Sequence, residues 1–457
     1  MVWARPRARG GVAGLLSTGE AADGAAPAAA VAELKRFPSE QSARAGEGSR
    51  RMARIVQKYG GTSVADIERI KHVARRVKAE VDAGHEVAVV VSAMAGETDK
   101  LVALTERTAA LHDAREYDVV VSSGEQVTAG LLAIALQDIG VQARSWLGWQ
   151  IPIRCDDVHG KARIEGIEGS ELVRRMADGQ VAVVAGFQGL GSDGRVTTLG
   201  RGGSDTSAVA LAAAVKADRC DILKDVEGIY TADPHIVAKA RKLARITYEE
   251  MLEMASLGAK VLQTRAVEMA MKHHVRLQVL SSFNNEPGTL VVDEDEIVEQ
   301  AVVSGLTYNR NEAKITLAGV ADRPGVAAGI FGPLSDANIN VDMIVQSSSE
   351  DGATTDLTFT VAKGDLAQAV KVLEGQRDKV GYARLSPDPN VVKVSVIGVG
   401  MRSHAGVAQQ MFKALSREGI NIQVISTSEI KVSVLIDEKY TELALRALHS
   451  AYGLDAA

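Results

Sequence analysis

Cysteine is nearly absent from this chain. Its 457 residues hold two, Cys155 and Cys220. Neither sits in metal-ligand spacing, and nothing supports a disulfide framework. Both are expected to be small, reduced core residues. Aromatic residues are also scarce, at 4%. Ala, Val and Gly abound instead, a balance that suits an α/β enzyme with tightly packed helices. Positive charge is in deficit: the net charge is −6, which leaves no electrostatic case for nucleic acid. No apolar run reads as long enough to span a membrane, so no membrane partner is expected. Two chemical signatures are missing as well. The glycine loops lack the G-x-G-x-x-G spacing of dinucleotide folds. No nucleophile elbow or Ser-His-Asp ordering points to a hydrolase.

The first 51 residues are different material, rich in Ala, Gly and Arg and without apolar periodicity. They hold eight Lys/Arg and five Asp/Glu, a net of +3, which leaves −9 for the remainder. Val12 to Leu16 is too short for a secretory core, and the acids argue against an organelle transit peptide. The expectation for 1–51 is a disordered tail, or upstream sequence translated from a start codon placed too early. Structure is expected from Met52 onward, in two to four domains.

What is present is glycine at the ends of strands. In Thr197-Thr-Leu-Gly-Arg-Gly-Gly-Ser-Asp-Thr-Ser-Ala208 a glycine-rich loop runs into a helix expected over 208–215, with Ser204 or Asp205 as its cap. Its glycines allow a sharp turn and close approach to a ligand. A helix start suits an anion, and Arg201 adds a planar fork that matches carboxylate or phosphate. Two similar loops lie upstream. A strand over 54–58 runs into Tyr59-Gly-Gly-Thr-Ser-Val64. Asp66 then opens a helix with Ile67, Ile70, Val73, Ala74, Val77 and Val81 on one face, and Gly84 ends it. The strand over 86–91 ends in Ser92-Ala-Met-Ala-Gly-Glu-Thr98. Strand, helix, strand implies a parallel pair with a right-handed crossover. Ligands of such sheets sit beyond the carboxyl ends of the strands.

Ser122 opens a further helix that ends before Gly140, with Glu125 in its first turn. Glu125 reads first as a surface acid that complements the helix dipole, and second as a carboxylate for a cationic ligand group. Strands over 181–185 and from 222, helices over 249–258 and 259–273, and a last strand over 278–281 complete this half. Three glycine loops with one Lys and one Arg suggest a site for a polyanion plus a small acid. Lys58 is a compact charge suited to a transferring phosphoryl group. Such transfer needs positioning and charge neutralisation more than covalent help. A carboxylate acceptor is already ionised at neutral pH and needs no general base.

From Asp293 the texture becomes acidic linker, and an internal repeat follows. Lys314-Ile-Thr-Leu-Ala-Gly-Val320 parallels Lys393-Val-Ser-Val-Ile-Gly-Val399. Gly325-Val-Ala327 parallels Gly406-Val-Ala408, and Ile339-Asn-Val341 parallels Ile420-Asn-Ile422. Repeats of this size read as βαββαβ modules that pair sheet to sheet.

Three motifs carry a resemblance. Lys58-Tyr-Gly-Gly-Thr-Ser-Val64, the loop from Thr197 to Asp205, and Gly228-Ile-Tyr-Thr-Ala-Asp-Pro234 resemble aspartate kinase of the bacterial, lysine-sensitive type. The repeat resembles its paired ACT domains. The resemblance covers 52–457. It implies an α/β amino-acid-kinase fold over 52–292, a mostly parallel sheet between helix layers. A linker over 293–311 would give the strand from Val302 to Thr307 to the second ACT domain. Two ferredoxin-like ACT domains would follow, over 312–386 and 387–457. The implied reaction is phosphorylation of L-aspartate by ATP with Mg2+, with no metal ligand from protein side chains. It would take place in the cytoplasm and open the routes to lysine, threonine, methionine and diaminopimelate. The alternatives are a kinase of another small amino acid and a non-catalytic amino-acid sensor.

By the resemblance, Lys58, Arg201 and Asp205 are the catalytic residues. Ser92, Thr98, Glu125, Phe187, Arg201 and Ser204 would bind aspartate, Glu125 taking its ammonium and Arg201 its α-carboxylate. Lys58, Gly60, Gly61, Lys224, Asp225, Tyr230, Asp233, Pro234 and Lys260 would bind ATP. Lys224 replaces a usual small hydroxyl residue, and His235 a usual Arg. Effector binding would fall to Asp322, Pro324, Gly325, Val326, Ala327, Asn338, Ile339, Asn340, Asp342 and Gln346 in the first ACT domain. Ser426, Thr427, Ser428 and Glu429 correspond in the second. Ser347 stands where Asn is usual. The expected inhibitors are lysine and threonine, and the ACT domains imply a homo-oligomer. Met251 and Met254 lie near where some relatives start a shorter regulatory subunit from the same gene.

Overall fold

The computed structural model describes residues 52–259, 261–297, 301–348 and 352–455. Valine-rich runs such as Glu86–Val91 and Val181–Ala185 form the centre of an eight-stranded sheet and are buried almost throughout. Parallel strands covered on both faces require this. The strand order is Arg245–Thr247, Thr289–Val292, Leu277–Ser281, Arg219–Lys224, Arg54–Tyr59, Glu86–Val91, Val181–Ala185, Ala143–Trp146. The last six of these run parallel, and Thr289–Val292 is antiparallel to Leu277–Ser281. Alternate side chains feed two cores. Val56, Ala88, Val90, Val184 and Ile222 face the one covered by helices Gly203–Ala214 and Thr264–His273. Tyr59, Val87, Val89, Val183 and Leu223 face the one covered by Ile67–Asp82 and Ser123–Asp138.

Three expectations are corrected. The helix expected over 208–215 spans Gly203–Ala214. Gly202, at φ 73°, is its N-cap residue, so Ser204 and Asp205 lie inside the first turn and cap nothing. The helix expected over 259–273 is confined to Thr264–His273, opened by the Gln263 side chain accepting from the Thr264 N–H at 3.0 Å. The stretch Ala114–Asp138 is, by length and composition, long and apolar enough to cross a membrane; half of its most apolar window is buried inside the fold. Ser122 interrupts it, so it forms two helices, Ala114–Val121 and Ser123–Asp138.

The repeat region folds on a six-stranded sheet ordered Val341–Ser348, Thr354–Val361, Gly305–Ala321, Arg384–Ile397, Lys431–Asp437, Val424–Ser428. Its two central strands are long enough to serve both copies. Gly305 to Asn309 pairs with Ile397 to Lys393, and Lys314 to Ala318 pairs with Asp388 to Arg384. Phe359, Ile330 and Leu334 centre the first copy. Val394, Met411 and Leu445 centre the second, and that core also buries Ala232 and Val237 from the kinase half. Gly258 marks the same junction. Its φ is 117°, and a Cβ there would lie 2.2 Å from the Tyr308 carbonyl oxygen. Gly258→Ala is therefore expected to cost about 1–3 kcal/mol. Urea unfolding checks this; wild-type stability would contradict the close approach.

Candidate active site

The parallel register brings three strand ends together. Tyr59 pairs with Val91 on one side and Leu223 on the other, so Lys58, Ser92 and Lys224 emerge side by side. The buried helix Gly203–Ala214 delivers Asp205 between the two lysines. Asp205 Oδ1 lies 2.7 Å from Lys58 Nζ, and Oδ2 lies 2.8 Å from Lys224 Nζ. Burial alone would raise the Asp205 pKa, but the two ammonium charges outweigh it and hold the carboxyl at about 2. Burial lowers the Lys58 pKa, and Lys224 adds to this against the pull of Asp205.

The glycine loop is pinned from outside. Arg265 donates to the Leu199 and Ala162 carbonyls, both at 2.8 Å, and Gln263 donates to the Arg201 carbonyl at 2.8 Å. The buried Asp118 accepts from Thr198 Oγ1 at 2.5 Å and lies 2.7 Å from His159 Nδ1. Phe187 turns the chain at φ 67°, and its N–H donates to Ser207 Oγ at 3.0 Å. These contacts shape a cleft of about 1010 Å³. Lys58, Gly61, Ser92, Thr98, Glu125, Phe187, Arg201, Ser204, Asp205 and Lys224 all line it. Gly60 does not, and instead donates its N–H to the Leu223 carbonyl at 3.3 Å. Arg201 is exposed and has no ion-pair partner among the described residues.

Glu125 is the largest surprise. Its first reading as a surface acid is wrong: it is 3% exposed. Oε1 accepts from the Ala93 N–H at 3.1 Å, while Oε2 is buried without a partner. Burial pushes its pKa up to about 7, against the opposing hydrogen bond. A buried acid with an unpaired oxygen facing a cleft is suited to a cationic ligand group.

A second pocket, of about 1020 Å³, lies on the far side of Lys224. Lys224, Asp225, Tyr230, Asp233, Pro234 and His235 line it, with Leu306 to Asn311 of the repeat region as its other wall. Tyr308 Oη donates to Asp233 Oδ2 at 3.0 Å across that wall. Lys260 lies outside the described residues. In the first repeat, Asp322, Pro324, Gly325, Val326, Ala327 and Gln346 line a pocket of about 350 Å³. Asn338, Ile339, Asn340 and Asp342 do not: Ile339 is core, and Asp342 pairs with the buried Lys393 at 2.6 Å. Ser426, Thr427 and Ser428 lie on the edge strand Val424–Ser428, and Glu429 lies 3.6 Å from Arg402.

Residues 53–281 match the amino acid kinase family, and 315–376 and 394–452 each match the ACT domain. An aspartate kinase of Stutzerimonas stutzeri is 57% identical over 406 residues, 89% of this chain and 98% of its own length. The chain belongs to the aspartate kinase family. Among solved structures, E. coli aspartokinase III in complex with aspartate and ADP, described as the R-state, is similar with a TM-score of 0.74 at 28% identity, covering 87% of this chain and 99% of that one. Aspartokinase III in complex with lysine and aspartate, described as the T-state, gives 0.70 at 28% identity, covering 87% and 98%.

The kinase cleft also holds residues that sequence reasoning missed. Tyr117, Lys161, Arg163 and Arg265 all line it. They come from loops and helices with no motif of their own, so only the fold reveals them. Among the described residues no group of three or more His, Cys, Asp or Glu could hold a metal ion. Asp205, a buried cleft carboxylate, has both oxygens against ammonium groups. Asp205→Asn would leave Lys58 buried without its counter-charge and should cost about 3–5 kcal/mol. Denaturant titration checks this, and an unchanged midpoint would contradict the pairing.

Proposed function

We propose that this kinase transfers the γ-phosphoryl group of ATP to the side-chain carboxylate of L-aspartate, giving ADP and 4-phospho-L-aspartate. The observation that carries the reading is the Lys58–Asp205–Lys224 cluster, its first two members buried, where the two clefts meet. A carboxylate oxygen attacks the γ-phosphorus. The bond from phosphorus to the β-γ bridging oxygen breaks, and ADP leaves with that electron pair. No proton moves, because the acceptor is already ionised. The obstacle is repulsion between anions. Six cationic and three acidic side chains line the first cleft, although the whole chain is net −6. Fixed positive charge aimed at a developing anion lowers such a barrier most effectively.

In this reading Arg201 takes the α-carboxylate and Glu125 the ammonium, which turns the side chain toward Lys58. Ser92, Thr98, Phe187 and Ser204 shape the walls. Asp225, Tyr230, Asp233 and Pro234 hold the nucleotide beside the regulatory strand. Mg2+ would come with ATP as part of the substrate and would supply further charge neutralisation there. Lysine and threonine are the proposed inhibitors, bound at the start of helix Val326–Asp336. A homo-oligomer through the ACT halves is supported by exposed Ile344 and Ile425 on the sheet's two edge strands.

Trapping with hydroxylamine tests the reaction. Mg-ATP with aspartate should give an acyl hydroxamate that other amino acids do not give and that lysine or threonine suppresses. No hydroxamate from aspartate would overturn the reading. The Glu125 assignment has its own signature. With its pKa at about 7, Glu125 must lose a proton to meet the ammonium, so affinity falls as pH falls. Calorimetry without nucleotide should find aspartate bound roughly tenfold more weakly at about pH 6 than at about pH 8. Glu125→Gln should bind weakly at both. A flat profile in the wild type would contradict the role.

A further inference from the structure

We infer that Lys224 is a second catalytic cation, which lets go of Asp205 to hold the transferring phosphoryl group together with Lys58. The inference rests on the phosphoryl-transfer reading above. It assigns Lys224 to the reacting group rather than to nucleotide affinity.

Three observations carry it. The first is charge. One carboxylate faces two ammonium groups, at 2.7 and 2.8 Å, and neither lysine has another ion-pair partner among the described residues. Asp205 is 3% exposed and Lys58 5%. One positive charge is thus unmatched at contact distance in a buried place, where a further anion is strongly favoured. The second is access. The Lys224 side chain is 19% exposed against 7% for Lys58, so it is the member of the pair that can turn to a ligand. The third is position. Lys224 is the one described residue that lines both clefts. A phosphoryl group that passes from a nucleotide in one to an acceptor in the other must pass its ammonium.

A merely structural latch on Asp205 accounts for this less well. Without Lys224, Asp205 still has Lys58, a neutral pair that needs no third member. During transfer the acceptor oxygen bonds to phosphorus, the bridging oxygen leaves with ADP and its electron pair, and the Lys224 ammonium exchanges Asp205 for a phosphoryl oxygen. An ammonium that meets charge growing in the transition state acts on kcat rather than on ground-state binding.

The test is steady-state kinetics of the full chain by hydroxylamine trapping, with three substitutions at this position. Lys224→Met should lower kcat by about 10²-fold or more while KM for aspartate stays within about threefold and the melting temperature is kept. Lys224→Arg, which retains the charge, should recover at least about tenfold of that loss. Ethylammonium added to Lys224→Ala should restore part of kcat with saturation, which a structural role could not produce. A kcat within about twofold of wild type in Lys224→Met, or a loss confined to KM for ATP, would overturn the inference. So would an absence of rescue by both Arg and ethylammonium. Wild-type protein that makes no aspartyl hydroxamate would overturn the proposed function itself, whereas active wild type with an indifferent Lys224→Met overturns only the role of Lys224.

Discussion

A single buried carboxylate organises the catalytic half. Asp205 draws two lysine-bearing strand ends toward one helix start, and the fold makes that meeting obligatory. Helix Gly203–Ala214 is buried from Gly203 through Ala212. It has almost no freedom to slide, because a Cβ on Gly186 would sit 2.9 Å from the Ser204 Cβ, and one on Gly203 would sit 2.8 Å from the Leu199 Cβ. Packing this close transmits position rather than absorbing it. The carboxylate is therefore placed by apolar contacts and held by ionic ones. The glycine loop, the Phe187 turn and the Arg265 clamp all fix the approach to it.

The same economy joins catalysis to regulation. The loop that carries Tyr230 and Asp233 also carries Ala232 and Val237, which are buried in the core of the second repeat. Thr231 Oγ1 lies 2.9 Å from His449 Nε2, Arg241 donates to the Leu454 carbonyl at 2.7 Å, and the Leu306 N–H donates to the Thr231 carbonyl at 2.8 Å. One wall of the second pocket thus belongs to the regulatory sheet. That pocket also reaches Lys224, and through it the Asp205 cluster. Coupling of this kind needs two discrete packings that each ligand prefers differently.

Much of this was legible in the sequence, for definable reasons. The glycine loops were readable because positive φ and close approach demand glycine, as at Gly200 and Gly202, with φ 77° and 73°. The helix that follows Asp66 was readable from its apolar face, and the repeat from paired motifs. The rest depended on long-range packing. Nothing local distinguishes Glu125 from a surface acid; it is buried because Gly124 lets its helix press against Ala93. Nothing local joins Lys224 to Asp205, which meet only because helix Gly203–Ala214 packs against the strand that carries Lys224. The edge strand Arg245–Thr247 and its neighbour Thr289–Val292 are too short to show a period. The cleft residues Lys161 and Arg163 come from a loop whose course is fixed by Asp118 rather than by its own sequence.

The most direct test of the central claim is a crystal structure with ADP, aspartate and fluoroaluminate, a planar mimic of the phosphoryl group in flight. The fluoroaluminate should lie between the two clefts, within hydrogen-bond distance of the Lys58 and Lys224 ammonium groups, with the aspartate side-chain carboxylate in line on one face and the ADP β-phosphate on the other. Fluoroaluminate bound elsewhere, with both lysines still closed on Asp205, would contradict this.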